Sequence, residues 1–196
     1  STFSVTVRDT TAPAIAPHAD LVAEAIGPSG AVAIYTSPSW TDTVDGAGTA
    51  TCAPASGTTF ALGATTVTCT ATDNAGNSNS STFSVTVRDT TAPAVTLLGS
   101  PAITLEAGTA FVDPGATAAD LVNGSLPVTV TGAVNVFVRA VYTLTYSATD
   151  GAGNTGTATR QVTVVDTQPP GTLTASINPQ TLWPPDGSIV PVTVSG

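Results

Sequence analysis

The sequence has no lysine or methionine and only one histidine, His18. Charged residues make up 9% of the chain, whereas about 25% is usual for a globular protein. The four Lys and Arg residues are all arginines and the formal net charge is −9, so a phosphate backbone would be repelled and no nucleic-acid partner is expected. With one histidine and no nucleophile motif, the sequence offers no catalytic triad. We therefore predict that the chain is not an enzyme.

Long apolar runs are also absent. No stretch approaches the length of a membrane-spanning helix, so no membrane insertion is expected in this segment. Thr, Ser, Ala, Gly and Val occupy the places that charged residues usually take. This composition is typical of short strands joined by tight turns, and no long amphipathic helix is expected.

Only two cysteines occur, Cys52 and Cys69, each in a strand-like run. No further Cys or His lies at metal-ligand spacing, so a zinc site is not expected. A disulfide between neighbouring strands would close a loop of about 17 residues and would imply an oxidising compartment. The alternative, two buried thiols in a reducing compartment, stays open at this point.

A repeated segment is the most informative feature that is present. Residues 81–94 repeat residues 1–14 letter for letter, and a looser copy follows at residues 160–170. Each copy alternates apolar and polar residues and then breaks at an Asp-Thr-x-x-Pro motif, as a last strand followed by a linker would. Self-similarity at a period of roughly 80 residues indicates an array of one structural unit. We predict two complete units, residues 12–89 and residues 90–166.

The phase of the repeat makes the two ends incomplete units. Residues 1–11 are predicted to be the last strand of a preceding domain plus a linker, and residues 167–196 a linker and the first strands of a following domain. A lone strand cannot fold by itself. Either the chain is an excerpt of a longer array, or its end strand completes a neighbouring subunit, with Phe3, Val5 and Val7 inserted into that neighbour.

Within each unit, short alternating runs are separated by turn signals. About seven strands with turns every eight to twelve residues are typical of an immunoglobulin-like sandwich. The predicted fold class is therefore all-β, with tandem immunoglobulin-like β-sandwich domains in a linear array. Two acidic segments, residues 37–48 and 118–124, are predicted to be polar loops.

Both units resemble known families. The run CAPASGTTF that starts at Cys52, the second cysteine Cys69 and the DNAGN turn that starts at Asp73 resemble the hyalin repeat (HYR) module over residues 12–89. The DPGA run at Asp113 and the YSATDGAGN run at Tyr146 resemble a bacterial immunoglobulin-like domain of surface proteins. The resemblance implies extracellular bacterial repeat proteins, secreted or at the cell surface, that act in adhesion or as spacers, and it assigns no catalysis.

Aligning the two units reveals matched sets of polar residues. In an immunoglobulin-like topology, the turns that carry them lie at the end of the sandwich where the chain enters from the previous domain. Two groups should therefore form at successive junctions: Asp9, Asp42, Asp45 and Asp73 at the first, and Asp89, Asp120, Asn123 and Asp150 at the second. Three or four side-chain oxygens with carbonyls and water can satisfy Ca²⁺, which takes six to eight ligands. Calcium is the cofactor we expect, and the alternative is that these residues only build turns.

The expected function is that of a non-catalytic extracellular repeat region: a stalk, adhesin or filament segment that contacts neighbouring copies or domains. The alternative is an accessory carbohydrate-binding region of a secreted enzyme. In that case Trp40 and Trp183 would form an aromatic platform for cell-surface glycans. This alternative requires both indoles to be exposed along one face.

Overall fold

The computed structural model describes residues 1–169 and residue 171, and every regular element there is a β-strand. The first unit contains β1 (Ala14–Ile15), β2 (Leu21–Glu24), β3 (Ala31–Val32), β4 (Ser39–Asp42), β5 (Gly46–Thr49), β6 (Thr51–Ala53), β7 (Thr59–Phe60), β8 (Gly63–Thr72) and β9 (Ser78–Arg88). The second unit contains β10 (Ala94–Leu97), β11 (Ala102–Glu106), β12 (Ala116–Asp120), β13 (Gly124–Leu126), β14 (Thr129–Thr131), β15 (Val141–Thr149) and β16 (Thr155–Val165). Over the same residues, no helix is long and apolar enough to cross a membrane.

Each unit is a sandwich of a three-stranded and a four-stranded sheet. The sheet orders are β1-β4-β5 and β2-β9-β8-β6 in the first unit, and β10-β12-β13 and β11-β16-β15-β14 in the second. In both four-stranded sheets the last strand of the unit pairs in parallel with the second, β9 with β2 and β16 with β11. The first unit adds the short pair β3-β7. The predicted all-β fold of tandem immunoglobulin-like sandwiches is confirmed.

The long pair β8–β9 forms the centre of the first core. Successive side chains of a strand point to opposite faces, so every second residue faces the other sheet. The inward, buried residues are Val67, Cys69 and Ala71 on β8 and Phe83, Val85 and Val87 on β9. Burying one such valine or phenylalanine side chain contributes about 1.5–3 kcal/mol, so this alternation stabilises the sandwich and fixes its register.

The disulfide links two neighbouring strands of that sheet. Cys52 of β6 and Cys69 of β8 are directly opposite each other in the ladder and are joined by an S–S bond of 2.02 Å. The predicted disulfide is confirmed, and the alternative of two free thiols is wrong.

The second unit fills the equivalent core positions with different chemistry. Counted from the turns that follow β8 and β15, Tyr146 takes the place of Cys69, and Arg160 takes the place of Phe83. Arg160 is fully buried and forms an ion pair with Asp113, and its guanidinium also donates to three backbone carbonyls. The Tyr146 hydroxyl donates to Asp113 Oδ1 at 2.5 Å. Burial, together with the bond to Asp113, raises the pKa of Tyr146 to about 12.

The two acidic segments are hairpins, so their prediction as loops is wrong. Residues 37–48 contain β4 and the start of β5, and residues 118–124 contain the end of β12 and the start of β13. Their residues, rich in Ala, Gly, Ser and Asp, have low intrinsic strand propensity. The strands form because β1 pairs with β4 and β10 pairs with β12, both antiparallel. Tertiary pairing therefore decides the conformation here.

The predicted start of a following domain lies, apart from its first residues, outside the part of the chain that the structure describes. The same holds for Trp183.

Candidate metal centres at the unit junctions

The first acidic cluster lies where the chain enters the first unit. One carboxylate oxygen from each of Asp9, Asp45 and Asp73 lies within 4.8 Å of the others. Asp9 belongs to the segment that precedes β1, Asp45 to the β4–β5 turn, and Asp73 directly follows β8. Three separate parts of the chain therefore converge at this point.

The second cluster lies between the two units. Asp89, Asp120 and Asp150 each place one carboxylate oxygen within 4.8 Å of the others. Asp89 directly follows β9 of the first unit, whereas Asp120 ends β12 and Asp150 follows β15 of the second. The cluster thus joins acids of both units across their junction.

Six of the eight predicted site residues belong to these clusters, and Asp42 lies outside both. Asn123 lies in the turn equivalent to that of Asp45, and its Oδ1 accepts from the backbone N of Gly151 at 3.4 Å. Asp45 Oδ2 accepts from the backbone N of Asn74 at 3.1 Å. Both residues therefore tie the hairpin turn to the turn before the unit's last strand.

One oxygen of each of four aspartates is used to build a turn. Asp9 Oδ1 accepts from the backbone N of Thr11 at 3.0 Å, and Asp89 Oδ1 accepts from the N of Thr91 at 3.2 Å. Asp42 Oδ1 and Asp120 Oδ1 each accept two backbone N–H groups of the hairpin turn that follows. The turn-building interpretation accounts for these oxygens.

It does not account for the second oxygen of the same four residues. The Oδ2 atoms of Asp9, Asp42, Asp89 and Asp120 are buried and have no hydrogen-bond partner. Asp9 and Asp89 occupy one position of the repeat, and Asp42 and Asp120 another, so the unpaired atoms recur in both units. Asp120 as a whole is only 9% exposed. A buried, unpaired carboxylate oxygen is costly because it has lost its water without gaining a donor.

No cationic side chain compensates this charge. The described part of the chain contains one salt bridge, between Arg160 and Asp113, and it lies in the core of the second unit. Both clusters therefore carry three carboxylates without a basic partner among residues 1–169.

The protonation equilibria reflect this crowding. Burial raises the pKa of Asp89, the charges of Asp120, Asp150 and Glu24 raise it further, and one hydrogen bond from Thr91 opposes them. An acid with a raised folded-state pKa stabilises the fold only while it is protonated, and that contribution is lost as the pH rises through this pKa. At neutral pH the charged Asp89 carboxylate consequently destabilises the junction, and a cation bound there would offset this.

The acids before the last strands behave in the opposite way. Burial raises the pKa of Asp73 and of Asp150, but the hydrogen bonds from Asn77 and Asn154 in the turns that follow outweigh burial, and both pKa values are lowered. These two carboxylates are therefore held in the charged form inside the clusters.

Two glutamates in strands hold the linkers. Glu24, at the end of β2, accepts from the N of Thr90 at 2.8 Å and from the hydroxyls of Thr90 and Thr91 at 2.8 and 3.0 Å. Glu106, at the end of β11, accepts from the N and the hydroxyl of Thr167 at 2.7 and 2.9 Å. A sequence feature points to this shared role, because the only two glutamates of the sequence lie at the ends of equivalent strands.

The linker between the units is also held from the other side. Asn154 Nδ2 donates to the carbonyl of Asp89 at 3.2 Å. Gly156 at the start of β16 lies so close to the linker that an added Cβ would be 1.8 Å from the carbonyl oxygen of Pro93. Both units therefore contact this linker directly, which restricts its freedom to bend.

An apolar contact accompanies the second cluster. Val122 of the second unit packs against the hydrophobic core of the first unit and lines a groove between the units together with Leu62 and Asp89. The equivalent residue of the first unit, Val44, is 69% exposed. The valine at this position of the repeat therefore packs against the preceding unit at one junction and is exposed at the other.

This pair of valines permits a matched test of the contact. Val122→Ser should lower the melting temperature by about 4 °C, because it removes about 1 kcal/mol of apolar burial, and should let the two units tumble more independently in NMR relaxation. Val44→Ser makes the same chemical change at an exposed position and should leave both readouts unchanged. Equal effects of the two variants would contradict the contact.

Trp40 does not form a free aromatic platform. It packs against the core of the first unit, and a Cβ added at Gly48 would lie 2.5 Å from its indole ring. The ring therefore covers β5, as a packing residue does. The exposure that a glycan platform requires is not met at this position.

Phe3, Val5 and Val7 are 89%, 75% and 91% exposed, and residues 1–13 belong to no strand. Their predicted insertion into a neighbour stays a prediction.

Comparison with known proteins follows the same division of the chain. Residues 8–87 match the family model of the HYR domain. Residues 95–164 match the model described as "Bacterial surface protein, Ig-like domain". The chain carries a HYR domain followed by a bacterial-surface Ig-like domain. Both are domain types of extracellular, adhesion-type repeat regions rather than of enzymes.

One curated relative and several solved structures are similar to this HYR–Ig-like chain. It is 33% identical over 195 residues to Hyalin of Strongylocentrotus purpuratus, an alignment that covers 92% of the chain but only 16% of that protein. The lipoprotein BT2262 from Bacteroides thetaiotaomicron is 33% identical over 40% of each chain, with a TM-score of 0.36. Mouse Cadherin-23 EC22-24 is 17% identical over 79% of this chain and 65% of that one, with a TM-score of 0.31.

Proposed function

We propose that this chain is a non-catalytic spacer segment of a bacterial surface or secreted protein, in which Ca²⁺ bound at the unit junctions holds successive sandwiches in a fixed orientation. The observation that carries the proposal is that three members of the two clusters, Asp9, Asp89 and Asp120, each have a buried Oδ2 atom without a hydrogen-bond partner. A turn needs one oxygen of each aspartate, and a cation would use the other.

The chemistry of the donors supports calcium in particular. Both clusters consist of carboxylate oxygens, the ligands that a hard cation prefers. A Ca–O distance of about 2.3–2.6 Å puts ligand atoms of one ion no more than about 5 Å apart. The 4.8 Å limit within which the acids of each cluster lie agrees with that span. Backbone carbonyls and water would complete the six to eight ligands.

The mechanical consequence follows from where the acids come from. In the second cluster, Asp89 belongs to the linker, whereas Asp120 and Asp150 belong to the second unit. A cation that binds all three would tie the end of the first unit to the second. A bound cation would also offset the burial and the carboxylate repulsion that together raise the pKa of Asp89. Glu24 of the first unit and Asn154 of the second already bind the same short linker through hydrogen bonds. The ion would restrict its bending further.

The test uses variants that preserve the turns. Asp89→Asn and Asp120→Asn keep an Oδ1 acceptor for the backbone N–H groups but replace the unpaired Oδ2 by an amide. Adding 10 mM Ca²⁺ to the metal-free chain should raise its melting temperature by about 5–15 °C, as expected for a site of 0.1–1 mM affinity. Each variant should melt above the wild type in EDTA and should gain less from calcium than the wild type, because only the first cluster still binds the ion. In small-angle scattering, calcium should narrow the distribution of distances between the two units of the wild type, and it should not do so in either variant.

Asp20→Asn is the matched control. Asp20 lies outside both clusters, and its Oδ1 accepts from the backbone N of Ser84 at 2.7 Å, so an asparagine retains that bond. This variant should respond to calcium as the wild type does. A wild-type melt and scattering profile that are the same in EDTA and in calcium would refute the proposal.

No observation favours the alternative of an accessory carbohydrate-binding region. Trp40 is occupied in packing, and Trp183 lies outside the described residues.

A further inference from the structure

The two junctions differ in chemistry at one of their four matched positions. Three of these positions hold an aspartate in both units: Asp9 and Asp89, Asp42 and Asp120, and Asp73 and Asp150. The fourth position lies in the hairpin turn and holds Asp45 in the first unit and Asn123 in the second. The first junction therefore has four carboxylates at these positions, whereas the second has three carboxylates and a neutral amide.

The other three positions are alike at the two junctions. Asp73 and Asp150 are each 7% exposed. At both junctions the linker aspartate and the hairpin aspartate have a buried Oδ2 atom without a hydrogen-bond partner, and Asp120, which provides one of these atoms, is 9% exposed as a whole. An arginine precedes the linker aspartate in each case, Arg8 and Arg88. A difference in cation binding should therefore come from the fourth position.

Asp45 adds a charged ligand to the first junction. One of its carboxylate oxygens lies within 4.8 Å of a carboxylate oxygen of Asp9 and of Asp73. Its two oxygens also accept hydrogen bonds from the backbone N of Asn74 at 3.1 Å and from Asn74 Nδ2. A carboxylate has about four lone-pair sites, so these two bonds leave sites for a cation while they hold the side chain in place.

Asn123 adds no charge to the second junction. Its Oδ1 accepts from the backbone N of Gly151 at 3.4 Å, which is longer than a typical N–H···O bond. An amide oxygen can bind Ca²⁺ but is neutral, and the calcium affinity of a protein site depends on the number of charged ligands and on the rigidity of the site. The carboxylate of Asp45, held by two hydrogen bonds, favours the first junction on both counts.

One further acid acts on the second junction. The charge of Glu24 raises the pKa of Asp89, but less than the charges of the two acids of the second unit do. The oxygens of Glu24 accept from the N and the hydroxyl of Thr90 and from the hydroxyl of Thr91. Three donors therefore already neutralise part of its charge, and it does not replace a carboxylate at the fourth position.

We propose that Ca²⁺ fills the two junctions in order, the first about tenfold more tightly than the second, and that the difference between Asp45 and Asn123 sets this order. This inference rests on the proposed function and adds a means of regulation to it. The weaker site is the one between the two units. Bending between the sandwiches therefore responds to calcium in a concentration range in which the first junction is already occupied.

The test measures calcium binding at each junction separately, in the whole chain. Thr11 and Thr91 donate their backbone N–H to Asp9 and Asp89 at the same position of the repeat, so the NMR shifts of these two amides report on the two junctions. In calcium-buffered solutions, the midpoint for Thr11 should lie about tenfold below that for Thr91. Equal midpoints, or a lower midpoint for Thr91, would overturn the proposal.

Exchanging the residue types of the two turns provides the matched variants. Asn123→Asp should lower the Thr91 midpoint about tenfold and leave the Thr11 midpoint unchanged, whereas Asp45→Asn should raise the Thr11 midpoint alone. At a calcium concentration between the two wild-type midpoints, small-angle scattering should show a narrower distribution of interunit distances for Asn123→Asp than for the wild type.

Two negative results separate this inference from the proposed function. Variants that bind calcium with the wild-type midpoints would contradict the role of Asp45 and Asn123 and would leave the proposed function intact. A wild type in which calcium shifts neither amide would refute the proposed function and this inference together.

Discussion

Replacing both cysteines, Cys52→Ala with Cys69→Ala, should lower the melting temperature of the HYR domain by roughly 12–24 °C. The disulfide closes a loop of 17 residues, and a loop of that size stabilises a fold by about 3 kcal/mol; each kcal/mol shifts the melting temperature of a domain of this size by about 4–8 °C. Because Cys69 is fully buried, reductant should act on the native chain only through unfolding. Differential scanning calorimetry, with hydrogen exchange to assign each transition to its domain, measures the effect.

The Ig-like domain serves as the internal control for this experiment. It contains no cysteine, so its transition should stay within a few degrees of its position in the wild type. If the HYR transition also moves by less than about 3 °C, the disulfide does not carry the stability assigned to it.

The second large effect is expected in the Ig-like domain. Arg160→Met keeps most of the apolar volume of the side chain but removes every hydrogen bond of the guanidinium. Asp113 loses its counter-charge, and three backbone carbonyls lose their donor. Removing one partner of a buried ion pair costs about 3–5 kcal/mol, and since the Asp113 side chain is 28% exposed, we expect a value near the lower end. Urea unfolding followed on this domain measures it.

Arg139→Met is the matched control, because Arg139 is exposed and surface changes of this kind usually stay within about 0.5 kcal/mol. The pH profile adds a readout that a general packing defect would not move. Burial raises the pKa of Asp113, but hydrogen bonds from Tyr146 and Gly115 and the charge of Arg160 outweigh burial and lower it. A lowered pKa stabilises the fold above the unfolded value near 3.9, and this stability is lost as the pH falls through the folded-state pKa. The wild type should therefore lose stability in acid more steeply than Arg160→Met. Equal stability of the two arginine variants would contradict the role of Arg160.

The alternation and the internal repeat made much of the architecture predictable. In β8, β9 and β15 the apolar residues recur at every second position, and β16 keeps this pattern except at Arg160; such alternation is typical of a strand with one buried face. The repeat then predicted that acids at matched positions meet at the junctions, and the structure brings six of the eight together. These inferences needed no knowledge of long-range contacts beyond the topology of the sandwich.

The remaining features depend on tertiary contacts that leave a weak mark in the sequence. Strand β4 ends in Asp42 and pairs with β5, which consists of small residues, so neither matches a strand pattern. Aligning the two units places Arg160 at the core position that Phe83 occupies in the first unit. A charged residue is rarely buried unless it is paired, and the alignment does not show which residues pair with it. The sequence does not show which backbone group Glu24 binds, because its partner lies in a linker 66 residues away.

The measurement that tests the central claim most directly is calcium binding to the metal-free chain by isothermal titration calorimetry. Asp9→Asn and Asp89→Asn alter one cluster each, at the same position of the repeat, and both keep the turn-forming oxygen. The account predicts that each variant binds one ion fewer than the wild type and that the double variant binds two fewer. Absence of binding to the wild type, or a stoichiometry that neither variant changes, would contradict it.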